Sequence, residues 1–480
     1  MFKLAKELII EKDLHRKIII IEHLLNHSQL TAKELAEITQ SSQRTVFNDL
    51  QSLRFDLPSE WILEAVGNNG LKLTSTDKAD VKQLWLYYMG QSLGVQLVKQ
   101  LLSKNKISAE EQTVEWGTSE ASLKRGLKEL NERLSYYHLQ INLASGDLFW
   151  KGDELQIRMF YHRLLMPFTH EKFFSEEYHM HQVHYDGFLR RLERQESAPA
   201  SENIFGICWF YINCLRNKAN CLLENLVYDK KDPLLQLFLP EIQHLYQLEG
   251  LKLSMDESFF AFFCFLESWS YPFVPSEKLL HLMETYYRDI RQDCLEMVEK
   301  IGVQTHTVQD KDSILLRNLQ LFLLKYKESQ KLTETFTLEY PEIIEAAQYR
   351  FKNVLQWLAP IWSTVFRTKI NLNLMVSAAM IVQTELYSVK SLATVYFCYQ
   401  GEPAWKHFLT REIRDLVGSR IDFHILDYSD LDRIGPDDYL ITNMPIPSNV
   451  DKKQVFPISF VPKNNEIMSI KRALSDLYMV

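Results

Sequence analysis

The sequence predicts a mainly α, multidomain protein. Its parts are two small helix-and-hairpin modules (residues 1–75 and 76–160), two all-α domains (161–285 and 286–390) and a C-terminal α/β domain (391–480). Three observations predict this layout. Glycine and proline number 30 of 480 residues, roughly half the usual share, so helix breakers are scarce. A pattern of three short helices followed by a hairpin occurs twice near the N-terminus. The last ninety residues alternate strand-like and helix-like runs, which argues a small, mostly parallel sheet.

The first module holds three helical patterns. One carries Ile18, Ile19, Ile21, Leu24 and Leu25 and ends near Asn26 and His27. The second starts at Thr31, with Glu34 at capping-box spacing, and carries Leu35 and Ile38. The third starts near Ser41 or Ser42 and carries Val46, Leu50 and Leu53. Only Thr39, Gln40 and Ser41 separate the last two, which is the length of a helix-turn-helix. A hairpin follows, with 61–63 and 71–73 flanking Gly67-Asn68-Asn69-Gly70, and Asn-Gly is a tight-turn signal. Together these make a winged helix-turn-helix.

The second module repeats the arrangement. A helix carries Leu93, Val95, Leu97, Val98, Leu101 and Leu102. A second runs over 108–116 from a Ser108 cap, and a third over 118–134 with Leu123, Leu127, Leu130 and Leu134. Strands at 139–143 and 148–150 flank Ala144-Ser145-Gly146-Asp147. Residues 157–390 read as helical and apolar. Beyond them, strands are expected at 392–397, 421–426, 438–442 and 455–460, with helices at 403–417 and 464–478.

Charge and cysteines exclude several classes. The net charge is −8, so no global pull toward nucleic acid or anionic membrane exists. Residues 1–60 carry eight Lys/Arg against nine Asp/Glu, and 61–160 carry twelve of each. DNA binding must therefore use local basic faces or avidity. Six cysteines without paired spacing argue against a disulfide scaffold or a zinc ribbon. No apolar run approaches the length that spans a bilayer, and charges interrupt the N-terminus, so a cytoplasmic protein without a membrane partner is expected. No phosphate loop, nucleophile elbow or metalloprotease motif occurs, so no enzyme and no cofactor are expected.

The recognition-helix candidates follow. In the first module Ser42, Gln43, Arg44, Thr45 and Asn48 lie on a polar face near the helix start, with the apolar residues on the other. Amides and guanidinium groups reach base edges, and hydroxyls hold phosphate. The wing adds Asn69 and Lys72. In the second module Thr118, Ser119, Ser122, Lys124, Arg125 and Lys128 are the candidates for phosphate and base contact. An ordinary solvated helix face explains either pattern less well than the helix spacing and following hairpin do. Double-stranded DNA is the expected partner, and a homodimer the default assembly.

Five of the fourteen histidines, His162, His170, His179, His181 and His184, fall within 23 residues. The spacing of the last three does not place them on one helix face, and no acidic or thiol signature accompanies them. Surface or interhelix histidines are therefore favoured and no metal is expected. Cys398 ends a strand before a helix, where a thiol can be acidified and bind phosphate. Glu402 opposes an anion there and Tyr399 is bulky, so a buried structural thiol is favoured.

This order of parts resembles the Mga-like transcription regulators of Gram-positive bacteria, of the anthrax-toxin-activator type. The most similar stretches are 119–141 (SEASLKRGLKELNERLSYYHLQI) and 256–267 (DESFFAFFCFLE). The resemblance implies that the all-α domains are PRD-like (phosphotransferase-system regulation domains) and the last domain IIB-like. It implies a DNA-binding regulator, an activator, whose C-terminal parts dimerise and sense a signal. Phosphotransferase-system proteins would be partners, and His179, His181 or Cys398 the phosphate acceptors. The family's helix places a phosphorylatable His eight residues after the Asp of an Asp-Glu pair. Here Cys264 stands in that place, and no His occurs between His306 and His407. A phosphate-relay protein and a PRD-containing RNA-binding antiterminator are the alternatives. The second normally begins with a β-rich domain, unlike this chain.

Overall fold

A computed structural model describes residues 3–67, 70–169, 181–305, 313–366, 371–386, 393–401, 403–417, 421–436, 438–445 and 451–477. The chain divides into two compact units, Met1–Ser270 with Ser276–Leu279, and Tyr271–Pro275 with Leu280–Val480.

The first unit begins with α1 (Lys3–Glu7), α2 (Lys12–Asn26), α3 (Ala32–Ile38) and α4 (Gln43–Asp56), then the hairpin β1 (Trp61–Ala65) and β2 (Leu71–Ser75). Thr31 and Glu34 form the expected capping box, each accepting the other's backbone N–H, at 3.2 and 2.7 Å. The turn into α4 passes through Gln40 at φ +52°, and Ser42 caps α4 by accepting Thr45 N–H at 3.1 Å. Leu30 forms an isolated antiparallel bridge with Leu71. Gly70 makes this approach possible. Its φ is +114°, and a Cβ there would lie 2.7 Å from the Leu30 carbonyl oxygen.

The second module has α5 (Val81–Gly90), α6 (Leu93–Ser103), β3 (Ile107–Ser108), α7 (Ala109–Glu115), α8 (Glu120–Leu134), β4 (Gln140–Ala144) and β5 (Asp147–Lys151). The strands form an antiparallel sheet in the order β3-β5-β4. Ser145 and Gly146 both have positive φ, as a two-residue primed turn requires. The expected cap Ser108 accepts Glu111 N–H, and α8 starts after the cap Ser119.

The chain crosses residue 160 inside α9 (Glu154–Leu165), so the expected boundary there falls within a helix. One hydrophobic core runs from Leu4 through both modules to Leu215. Tyr161 on α9 donates to the Val98 carbonyl at 2.8 Å and accepts Trp150 Nε1–H at 2.8 Å. Then come α10 (Gln182–Arg194), α11 (Asn203–Lys218), α12 (Pro233–Gln247) and α13 (Met255–Glu267). Phe259, Phe260, Phe262, Phe263 and Phe265 of α13 are all buried core. Arg158 at the centre is fully buried. It forms a two-bond pair with Glu257, at 2.7 and 2.8 Å, and also donates to Glu154, Asn213 and the Cys221 carbonyl.

α14 (Glu277–Thr285) carries the chain into the second unit. There α15 (Arg288–Thr305), α16 (Ile314–Glu328), α17 (Gln330–Thr337), α18 (Pro341–Arg350), α19 (Lys352–Phe366) and α20 (Leu372–Leu386) are all helical. The C-terminal part has β6 (Ala393–Cys398), α21 (Pro403–Val417), β7 (Ile421–Ile425), β8 (Tyr439–Thr442), β9 (Val455–Pro457) and α22 (Asn464–Leu477). Its sheet is parallel, in the order β7-β6-β8-β9, as alternating strands and helices predict. The last strand ends at Pro457, short of the expected residue 460, although Ile458 N–H still donates to the Thr442 carbonyl at 3.0 Å.

Candidate nucleic-acid interface

In the first module α4 is fixed against α2 by charge. Arg16 forms a two-point pair with the buried carboxylate of Asp49. Lys17 donates to Ser52 and Asp56, each at 2.7 Å. The hydrogen bond from Lys17 holds the Asp56 carboxyl below its ordinary value. These cations are therefore committed to holding the helix. Gln43, Arg44 and Asn48 stay exposed. The Ser42 and Thr45 hydroxyls bond each other at 2.8 Å while Ser42 caps the helix.

The expected all-polar outer face needs one correction. Phe47 is 57% exposed, because its position lies between Gln43 and Arg44 on the outward side while Val46 and Leu50 fill the core. An exposed aromatic there has the chemistry to touch a thymine methyl group. Lys72 is exposed on β2 and its cross-strand partner is Glu64, which offsets part of its charge. Asn69 lies outside the described residues.

In the second module α8 separates two clefts, and the candidates divide between them. Thr118, Ser122 and Arg125 line a cleft of about 740 Å³ together with Glu11, Glu115 and Glu129. One cation faces three carboxylates there, which disfavours phosphate. Lys124 and Lys128 line the other cleft, of about 1010 Å³, between α8 and the wing strands. Lys151, His138, Gln140 and Asn142 join them, with Glu132 the one carboxylate among the lining residues. Lys124 also pairs with Glu120 at 2.5 Å on the exposed surface, which lowers the Glu120 carboxyl pKa. Ser119 is used as the α8 cap.

Asn131 sets the width of this second cleft. Its side-chain amide donates to the Ile141 carbonyl at 2.9 Å and accepts Ile141 N–H at 2.8 Å, which pins β4 to α8. The sequence reading missed Lys151 and Asn131. Lys151 reaches the cleft through the pairing of β5 with β4, opposite Gln140. The turn Ser145-Gly146 is the signal that could have located it.

The phosphate-acceptor candidates stand apart. His179 lies outside the described residues. His181 is exposed and its Nδ1 lies 3.5 Å from Glu249. Cys398 is buried at the C-terminal end of β6, and that burial pushes its thiol pKa up. A raised pKa disfavours the thiolate that accepts phosphate. Cys264 is buried, with Asn213 Nδ2 at 3.9 Å from its sulfur.

Comparison with family models gives three matches. Residues 11–66 match the M protein trans-acting positive regulator (MGA) HTH domain, and 77–165 the Mga helix-turn-helix domain. Residues 286–388 match a Non-canonical single-stranded DNA-binding domain. No curated protein matches the chain. The two helix-turn-helix modules define a DNA-binding transcriptional regulator. Their two matches support an Mga-like regulator family for this chain. Among the described residues no helix is long and apolar enough to cross a membrane.

Proposed function

We propose that this chain is a transcriptional activator that grips duplex DNA with both modules. The observation that carries this reading is the cleft between α8 and the wing, which is lined by three lysines and one carboxylate, Glu132, with Lys124 also paired to Glu120 on the surface. Lys124, Lys128 and Lys151 hold phosphates there. On α4, Gln43, Arg44 and Asn48 read base edges, with Ser42 and Thr45 at the helix start. Asn69 and Lys72 extend the grip along the first wing. Thr118, Ser119, Ser122 and Arg125 contribute at the acid-lined edge of α8, where the pull on phosphate is weaker. Two modules per chain, doubled in a homodimer, compensate for the absence of a net basic charge.

In this reading the five-part division stands as a functional one. The helical domains are PRD-like and the last domain IIB-like, and together they couple subunits and sense a signal. A parallel sheet with Cys398 ending an inner strand supports the IIB-like part. Phosphotransfer to His179, His181 or Cys398 by phosphotransferase-system proteins takes second place, since burial pushes the Cys398 thiol pKa up and disfavours the thiolate.

The third family match favours a second reading, in which residues 286–388 bind single-stranded DNA. That stretch carries twelve Lys/Arg and twelve Asp/Glu, so its grip would rest on stacking. Tyr349 is 89% exposed beside Arg350 and Lys352 and offers such a platform. The test is binding of the full chain to a duplex selected from random sequence and to each of its strands. The expected result is tighter duplex binding that Arg44→Ala weakens. Tighter binding of the strands would favour residues 286–388, and no binding to either at low salt would overturn both readings.

A further inference from the structure

The histidine cluster takes on a different meaning once Glu249 is brought to it. His181 caps α10 and His184 lies in its first turn. Glu249 lies just past the end of α12, where the chain turns at Gly250 with φ +75°. Glu249 Oε1 is 2.8 Å from His184 Nδ1 and 3.5 Å from His181 Nδ1. One ligand atom from each of the three residues lies within 4.8 Å of the other two. Bonds of roughly 2.0–2.2 Å in a tetrahedral zinc site place neighbouring ligand atoms roughly 3.3–3.5 Å apart. The three atoms are thus close to a ligand set without a metal between them.

The carboxylate is also in an unfavourable place. Its side chain is 2% exposed, and it sits beyond the C-terminus of α12, where the helix dipole is negative. Lys218 Nζ lies 3.7 Å from its other oxygen, Oε2, and offsets part of that charge. Oε1 faces the two imidazoles. It accepts the His181 backbone N–H at 3.2 Å and lies at hydrogen-bond distance, 2.8 Å, from His184 Nδ1, so an incoming cation takes the place of the Nδ1 proton.

We infer that His181, His184 and Glu249 form a binding site for a divalent cation of the zinc class. Two nitrogens and one oxygen from the protein leave a fourth position for water or a small anion. Each imidazole binds through Nδ1, with its proton on Nε2. The ion would tie the start of α10 to the end of α12 across the first helical domain. Lys218 weakens the site because its charge repels the incoming ion.

The test uses the full chain stripped of metal with a chelator. Co²⁺ is titrated by its visible absorption, and Zn²⁺ by calorimetry. The expected result is one ion per chain with the absorption of a four-coordinate, thiolate-free site. His181→Ala, His184→Ala and Glu249→Gln should each weaken binding at least about tenfold, since changes to supporting residues alone reach roughly 10–100-fold. Lys218→Met should tighten it. His181 is exposed, so its replacement leaves the fold intact even where the Glu249 variant unfolds. Absence of saturable binding, or affinity unchanged in both histidine variants, would overturn the site.

Discussion

In the proposed function Arg44 and Lys151 make two different kinds of DNA contact. Arg44 stands exposed at the start of α4, and in the proposed function its guanidinium reads a base edge. Arg44→Ala should cost about 1–3 kcal/mol in specific affinity and relax preference at one base position. Binding measured across a set of single-base variants checks it, and an unchanged profile would remove Arg44 from the readout. Arg158 is the opposite kind of residue, wholly internal. Arg158→Met strands the Glu257 carboxylate, so a loss of about 3–5 kcal/mol in urea unfolding is expected. A loss below 1 kcal/mol would mean that Glu257 finds another partner. Residues whose role is local were legible in the sequence: Thr31, Ser42 and Ser108 cap the helices that follow them, whereas Ser119, expected as a DNA contact inside the helix, is the cap of α8. Lys151, Asn131 and Glu249 were not, because each acts on a partner brought near by the fold. Glu249 lies 65 residues from His184.

At the scale of elements, close approach and charge hold the modules in place. Leu8, just after α1, sits against α6 at Gly94, where a Cβ would lie 2.1 Å from the Leu8 carbonyl oxygen. Arg133 of α8 donates to the carbonyls of Glu7 and Ile9 at 2.9 and 2.8 Å. Gly94→Ala should therefore push the N-terminal segment off the second module and lower the thermal midpoint. An unchanged midpoint would show that the backbone yields without cost. The contact of α4 with α2 carries a pH signature. The Asp56 carboxyl is depressed by Lys17, so its contribution is present above the unfolded value near 3.8 and fades as pH falls through the lower folded value. Wild type and Asp56→Asn should differ in thermal midpoint by a constant amount from pH 7 to about 5 and converge in stronger acid. A difference that persists below both values would point to packing instead. Helix type and order were readable from apolar periodicity and caps. The outward turn of Phe47 was not, since apolar residues next to one another on a helix do not share a face.

For the molecule as a whole, the sequence shows separate modules, and the structure shows one core running through the two N-terminal modules to Leu215. The repeated helix-and-hairpin pattern was legible because each module's signals are local. The junction at α9 was not, because Tyr161 and Arg216 reach back to the Val98 and Leu101 carbonyls across more than sixty residues. That continuity gives a path by which the first helical domain touches the second DNA-binding module. In the proposed function the lysine cleft between α8 and the wing holds DNA phosphates. The most direct measurement is the salt dependence of duplex binding by the full chain, wild type against Lys124→Ala/Lys128→Ala/Lys151→Ala. The log–log slope should fall by about one unit per lysine, on every sequence alike. Equal slopes before and after would show that the cleft does not hold the duplex.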